Sequence, residues 1–374
     1  MDISRRRLLA TVGASVTLGG AGCVGSDGLS PGDAGSGYAS GDGTSTSDAA
    51  TATGESGGPE PPTADSQLHL DYEIGTLEDN IVSGGVPKDG IPSIDDPTFA
   101  DTPPETLAPD DPVFGVVRDG EAKAYPQHIL VYHEIVNDTV GGDPVAVTYC
   151  PLTGTAQGFE RGSVEFGVSG RLVNSNLTMY DRGTDSWWPQ MLATAITGPL
   201  TGESLREFRV IWTTWNRWSS AYPETAILTE DTGFSRRYGT DPYGQYNEKR
   251  GYYSSTRTLF EPLHGDSRAH PKTVVIGTRT ETGAVAFDKE GLLDQRVLTG
   301  RIDETPYVAV ADADLATGYV YANPDSVTVD ATDDGYTVAG STHAADALPL
   351  DRSLSFDAMW FAWAGFYPES GYVD

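Results

Sequence analysis

Turn residues recur too often in this sequence for long helices to form. From residue 67 to 374, short apolar runs are cut every few positions by Gly, Pro, Asp and Asn. Such punctuation reads as many short strands joined by tight turns. Candidate strands fall at 113–117, 122–125, 145–149, 156–159, 164–168, 177–180, 206–212, 273–277, 285–288, 307–310, 318–321, 327–329 and 336–338. Helical signals are confined to 126–131 and 214–222. The pattern predicts a mainly β (α+β) fold, a single large antiparallel β-rich domain over 67–374 with a few short helices. No internal repeat is evident at this level. The aromatic run 356–368 is too short to span a bilayer and reads as a core element that closes the fold. The polar, Tyr-rich stretch 233–255 reads as a long ordered loop or lid, and as the natural boundary if 67–374 divides.

The first twenty-three residues have a different grammar. Ser4 and the pair Arg5-Arg6 precede a short apolar run from Leu8 to Leu18, then Gly20-Ala21-Gly22-Cys23. A charged start, a short apolar middle and a small-residue exit make an export signal. Arg5-Arg6 before Leu8-Leu9 resembles a twin-arginine leader, and Cys23 after Ala21-Gly22 resembles a lipobox cysteine, with Gly20 where such boxes usually carry Leu. The expected partners are the twin-arginine export machinery and the membrane, reached through lipid on Cys23. The expected location is the outer face of the cytoplasmic membrane. Residues 24–66 are rich in Gly, Ser, Thr and Asp with no Lys or Arg, and read as a disordered acidic linker.

With 54 acidic and 24 basic residues the chain carries a formal charge of −30. A nucleic-acid binder needs a basic face, so that class is excluded. Two cysteines in 374 residues support neither a disulfide framework nor an all-cysteine metal centre. Carboxylates spread over turns, with Lys almost absent, read as a solvated surface adapted to high salt. Charge and leader together resemble a haloarchaeal-type twin-arginine lipoprotein.

Chemistry-bearing candidates cluster between 125 and 191. Cys150 ends the apolar run Val145-Ala146-Val147-Thr148-Tyr149 and is followed by Pro151-Leu152-Thr153-Gly154-Thr155. A thiol at a strand end is placed for binding or catalysis, and equally for burial as a small hydrophobe. His133 lies in Val131-Tyr132-His133-Glu134-Ile135-Val136; if this segment is a strand, His133 shares a face with Val131 and Ile135, and its imidazole could pair with Cys150 or ligate a metal, or equally be a structural histidine hydrogen-bonded to a carbonyl. Cys150, His133 and Met179 could supply the donors of a soft-metal site such as copper, but the Cys-to-Met spacing is not that of an electron-transfer copper protein, and Met179 reads more readily as core filler. His128, His264 and His270 are weaker candidates. Asp181-Arg182 reads as an ion pair, and Trp187-Trp188 as a cleft lining or core packing. Phosphate loops, dinucleotide fingerprints, nucleophile elbows and calcium loops are absent from the sequence.

Several segments together resemble a family known as domain of unknown function 3179. They are Asp89-Gly90-Ile91-Pro92, Ala124-Tyr125-Pro126, the His133 segment, Tyr149-Cys150-Pro151-Leu152-Thr153-Gly154-Thr155-Ala156, Trp187-Trp188-Pro189-Gln190, Pro271-Lys272 with Val275-Ile276-Gly277, and Trp360-Phe361-Ala362-Trp363. The resemblance implies one continuous domain over most of 70–370 and carries no activity with it. Where some members have a second cysteine after Pro-Leu, this chain has Thr153, which argues against a two-thiol mechanism. Three readings stay open: a metal-binding or redox-associated site around Cys150 and His133, a thiol enzyme with Cys150 as nucleophile and His133 as base, and a non-catalytic protein that binds a ligand through Trp187-Trp188 and 233–255.

Overall fold

The computed structural model describes residues 58–374. Arg5, Arg6, Cys23 and most of the 24–66 linker lie outside the described residues. The last few linker residues are packed against the body: Pro61 is buried, Thr63 bridges Leu205, and the Ala64 amide donates to the Ser204 carbonyl at 2.7 Å. Pro59, Pro61 and Pro62 favour an extended backbone, which suits a segment laid along an edge.

The fold is mainly β, 40% strand and 12% helix, with largely antiparallel sheets and five short helices among the described residues. Two parts of the chain trace the same path, which the sequence reading did not anticipate. The first runs through strands Pro112–Arg118 and Glu121–Pro126, helix Gln127–His133, then strands Ile135–Val140, Asp143–Cys150 and Thr155–Glu160. The second runs through Val274–Arg279 and Ala284–Asp288, helix Lys289–Gln295, then Val297–Ile302, Thr305–Asp312 and Thr317–Ala322. Val113 corresponds to Val275, Asp143 to Thr305 and Glu160 to Ala322, a constant shift of 162 positions. Both helices have seven residues and stop on a non-glycine left-handed residue, Glu134 at φ 61° and Arg296 at φ 69°.

Each repeat then inserts four strands and returns. The return is Ile211–Thr214, helix Trp215–Ala221 and Ala226–Leu228 in the first, and Ser355–Met359, helix Trp360–Phe366 and Gly371–Val373 in the second. The pairing is the same in both. The return strand lies antiparallel to the opening strand, and the last strand lies parallel to the second. The expected core element at 356–368 is therefore the return of the second repeat, and every residue of its helix is buried.

A glycine–tryptophan contact fixes each return helix. A Cβ on Gly115 would lie 2.1 Å from the Trp218 ring, and one on Gly277 would lie 2.1 Å from the Trp363 ring. Only glycine lets an indole approach a strand so closely. Trp218 Nε1 donates to Thr225 Oγ1 at 2.9 Å, and Trp363 Nε1 to Ser370 Oγ at 3.1 Å. Tyr222 and Tyr367 stack on these indoles at 4.3 and 5.0 Å.

The repeats interlock. The Thr153 carbonyl accepts from the Met359 amide at 2.8 Å, while Arg217 donates to the carbonyls of Ala313 and Asp314. Buried Arg279 of the second repeat pairs with buried Glu207 of the first at 2.9 Å. The main hydrophobic cluster contains Phe114, Tyr149 and Trp212 together with Val275, Phe356 and Trp363. Residues 229–273 join the repeats and run over the Gln127–His133 helix, where Tyr132 donates to the Arg237 carbonyl at 3.0 Å and to that of Thr240.

Candidate ligand cavity

Strand alternation sorts the Tyr149-Cys150 motif onto two faces. Tyr149 points to the Gln127–His133 helix, where Gln127 Nε2 reaches its hydroxyl at 3.3 Å. Cys150 points the other way and is fully buried; its Sγ accepts from the Leu177 amide at 3.3 Å and lies 3.8 Å from the Ser175 carbonyl. The following threonines are structural. Asn176 Nδ2 donates to Thr153 Oγ1 and Gln190 Oε1, Gln190 Nε2 donates to Thr148 Oγ1 and the Thr155 carbonyl, and Thr155 Oγ1 donates to Thr153 Oγ1. All five residues are inaccessible to solvent. The motif Pro-Leu-Thr-Gly-Thr and the motif Trp-Trp-Pro-Gln are thus two halves of one buried hydrogen-bond network, which fastens two hairpins together.

His133 is not on a strand. It is the last residue of the Gln127–His133 helix, which follows Pro126 and buries Ile129, Leu130 and Val131; packing of that face overrides the β preference of the Ile and Val residues. Its Nδ1 lies 2.8 Å from the Pro92 carbonyl and its Nε2 2.7 Å from the Tyr238 hydroxyl. A carbonyl cannot donate, so Nδ1 carries the hydrogen and Nε2 accepts from Tyr238. The lone pair that a metal ligand or a base toward Cys150 would use is engaged with Tyr238. Burial drives the imidazole pKa down to about 4, with Arg236 adding to the shift and the Pro92 bond opposing it. In the unfolded chain the ring takes up its proton near the ordinary 6.5, so stability falls as pH drops from 6.5 to 4. At about 1.4 kcal/mol per unit the loss is about 3 kcal/mol. Denaturant unfolding at pH 7 and pH 4 should show that loss in the parent and not in His133→Gln; equal pH dependence in the two would refute it.

The remaining candidates are dispersed. Met179 pairs with Trp188 and Val168 inside the core. Trp188 is buried with Nε1 on Asp181 Oδ2 at 3.0 Å, while Trp187 is half-buried. Asp181 and Arg182 do not pair with each other: Asp181 also holds the 183–184 turn, and Arg182 bonds Asp95 and Glu165. His264 and His270 are exposed. No group of three or more His, Cys, Asp and Glu side chains that could hold a metal ion occurs among the described residues.

Polar groups converge instead under the Tyr-rich 233–255 segment. A cavity of about 460 Å³ is lined by Gln127 and His128 of the helix, Thr106 and Asp111 at one side, and Tyr238, Asp241, Tyr246 and Asn247 of the strap. Asp241 organises the strap. Its Oδ2 accepts from Gln127 Nε2 at 2.8 Å and Tyr253 OH at 2.7 Å, and its Oδ1 accepts from the Tyr243 amide at 2.8 Å. Burial nevertheless raises its pKa. Burial also raises Tyr149, Tyr253 and Tyr246, so all three stay as hydroxyl donors. Tyr246 stacks on Trp212 at 4.7 Å. Three buried polar atoms on this lining have no hydrogen-bond partner: His128 Nδ1, the Tyr246 hydroxyl and Asn247 Nδ2. The wall is also where the repeats have diverged. Gln127 on the lining and Trp212, stacked on Tyr246, occupy the positions of Lys289 and Asp357 in the second repeat, which there form an ion pair at 2.6 Å. His133 stands behind this lining and touches it through Tyr238.

A second unusual group stood in the sequence only as part of the Pro271-Lys272 segment of the family resemblance, with no chemical role attached. Lys272 is 2% exposed, and its Nζ has no hydrogen-bond partner. The ammonium position lies 3.6 Å from the Tyr252 ring centroid and 4.2 Å from that of Phe361. Burial pulls its pKa down to about 7.

These features define a duplicated β-rich protein with a polar cavity built from one repeat and the segment that joins the two. The sequence model described as Protein of unknown function (DUF3179) matches residues 88–370. The chain belongs to that family, as the Tyr-Cys-Pro-Leu and Trp-Trp-Pro-Gln segments led us to expect. No curated protein and no solved structure matches the chain.

Proposed function

We propose that this protein binds a small uncharged polyhydroxylated molecule, of monosaccharide size, in the cavity beneath the 233–255 segment. The observation that carries this is the set of three unpartnered buried polar atoms on one lining, since buried polar groups in folded proteins are nearly all hydrogen-bonded. A volume of about 460 Å³ lies within the usual range of small-ligand sites. Hydroxyl groups both donate and accept, which suits a wall that mixes an amide, a phenol and an imidazole. Tyr238 and Tyr246 line the same cavity and add phenol groups to that wall. The formal charge of −30 disfavours anions as ligands. The expected export signal and lipid on Cys23 would present this cavity outside the membrane.

The test is a panel of neutral sugars and polyols titrated into the folded chain by calorimetry and by thermal shift. Saturable binding is expected, with Tyr246→Phe weakening it roughly tenfold, the cost of one hydrogen bond of about 1.4 kcal/mol. Cys150→Ser should leave affinity unchanged. Absence of saturable binding at millimolar ligand, or affinity lost in Cys150→Ser and kept in Tyr246→Phe, would refute the reading.

A further inference from the structure

We propose that Lys272 is a covalent capture site for small aldehydes, its side-chain amine adding to the carbonyl to form an imine. This site is separate from the polyol cavity and does not rest on it.

Four observations lead there. First, the chain has five lysines, and Lys272 alone among them is both buried and without an acceptor. Lys123, the other buried one, is satisfied by Asp138 at 3.0 and 3.1 Å and by the Thr139 carbonyl at 2.8 Å. Second, a position that needed a fixed buried cation could use arginine, as at Arg279, which pairs with Glu207. Arginine cannot lose its proton, whereas lysine can, so lysine without an acceptor suits an amine that works uncharged. Third, the two ring faces over Nζ do little for a neutral amine and much for a cation. A protonated imine keeps a cation between these rings with one N–H donor in place of the three of an ammonium, so the surroundings match the adduct better than a resting ammonium. Fourth, the cover is thin. Tyr252 is half-buried, belongs to a single 3-10 turn, Tyr252–Ser254, and is latched through its hydroxyl to the Leu152 carbonyl at 2.7 Å. Displacement of this side chain removes one of the two rings that lie over the amine.

In the reaction, the Nζ lone pair bonds to the carbonyl carbon and the C=O π pair moves to oxygen. Transfer of a proton from nitrogen to that oxygen gives the carbinolamine. A proton from solvent then lets the hydroxyl leave as water while the nitrogen lone pair forms C=N, leaving a protonated imine between the Tyr252 and Phe361 rings. No oxidant or reductant is consumed.

The experiment treats the full chain with glycolaldehyde and sodium cyanoborohydride at pH 7, which fixes an imine as a stable secondary amine. Peptide mass mapping then compares all five lysines. Lys272 should be modified at least tenfold faster than the more exposed Lys249, and Tyr252→Phe should speed that modification further by removing the latch. Lys272→Met should lose this adduct and keep the others. A Lys272 that reacts slowest of the five while surface lysines are labelled would overturn the proposal. The parent chain decides the outcome even if Lys272→Met misfolds.

Discussion

Lys272→Met should stabilise the protein most at neutral pH, and the gain should fade as pH rises toward 10. In the folded chain the amine gives up its proton near pH 7, because 2% exposure and the lack of an acceptor penalise the charged form. In the unfolded chain it holds the proton up to the ordinary value of 10.5. Between the two values the unfolded state binds more protons, so the stability of the parent rises with pH. Below pH 7 the folded state is protonated as well and the penalty stops growing. The window is therefore pH 7 to 10.5, and at about 1.4 kcal/mol per unit it spans about 5 kcal/mol. Methionine fills a similar volume between Tyr252 and Phe361 and has no proton to lose. Urea unfolding of parent and variant at pH 7 and pH 10 measures the difference. A difference that does not change with pH would mean that Nζ finds water or an acceptor in solution. It would also remove the basis for an uncharged amine.

The density of Gly, Pro, Asp and Asn made the β class legible, because turns that frequent leave room only for short strands. The 126–131 helix was legible too, and it runs on to His133, so of the segment 131–136 only Ile135 and Val136 are in a strand: Val131 looks β-forming in isolation, and its burial with Ile129 and Leu130 on the helix decides otherwise. The duplication escaped because a strand demands alternating burial, not identity. Cys150 corresponds to Asp312 and His133 to Gln295, and nothing in the sheet pairing suffers. One stretch did preserve it: Trp215, Trp218, Tyr222, Pro223 and Glu224 recur in the same spacing as Trp360, Trp363, Tyr367, Pro368 and Glu369. The cavity was beyond reach for a different reason. Its lining comes from 106–112, 127–128 and 238–247, which share no local pattern, whereas Cys150 and His133 attracted attention by residue type alone. Residue type does not reveal which face of a strand a thiol takes, or that an imidazole has spent both nitrogens on Pro92 and Tyr238.

Gly277→Ala should cost about 3 kcal/mol, and nearly none of that in a chain that already carries Trp363→Ala. The added methyl would begin 2.1 Å from the indole, a contact that no rotamer adjustment of alanine relieves, so strand and helix must separate. Overpacking of this kind costs about 1–3 kcal/mol, and a rigid ring against backbone belongs at the upper end. Trp363→Ala alone should cost about 3–5 kcal/mol through the void it leaves in the shared cluster. In the double variant the methyl occupies part of that void, so the two costs should fall short of additive by about 2–3 kcal/mol. Gly115→Ala with Trp218→Ala should behave in the same way in the first repeat. Strictly additive costs would show that the indole relaxes away from the strand in solution. The same unfolding curves bear on whether the repeats are separable. Thr153 is bonded to Met359, Arg217 to Ala313, and Glu207 to Arg279, and one apolar cluster runs through both halves. Opening either repeat therefore exposes the core of the other, and a lesson learned at Gly277 should appear as a shift of one cooperative transition. Two resolved transitions, with one insensitive to Gly277→Ala, would mean that each copy stands without its partner and that the contacts between them add little.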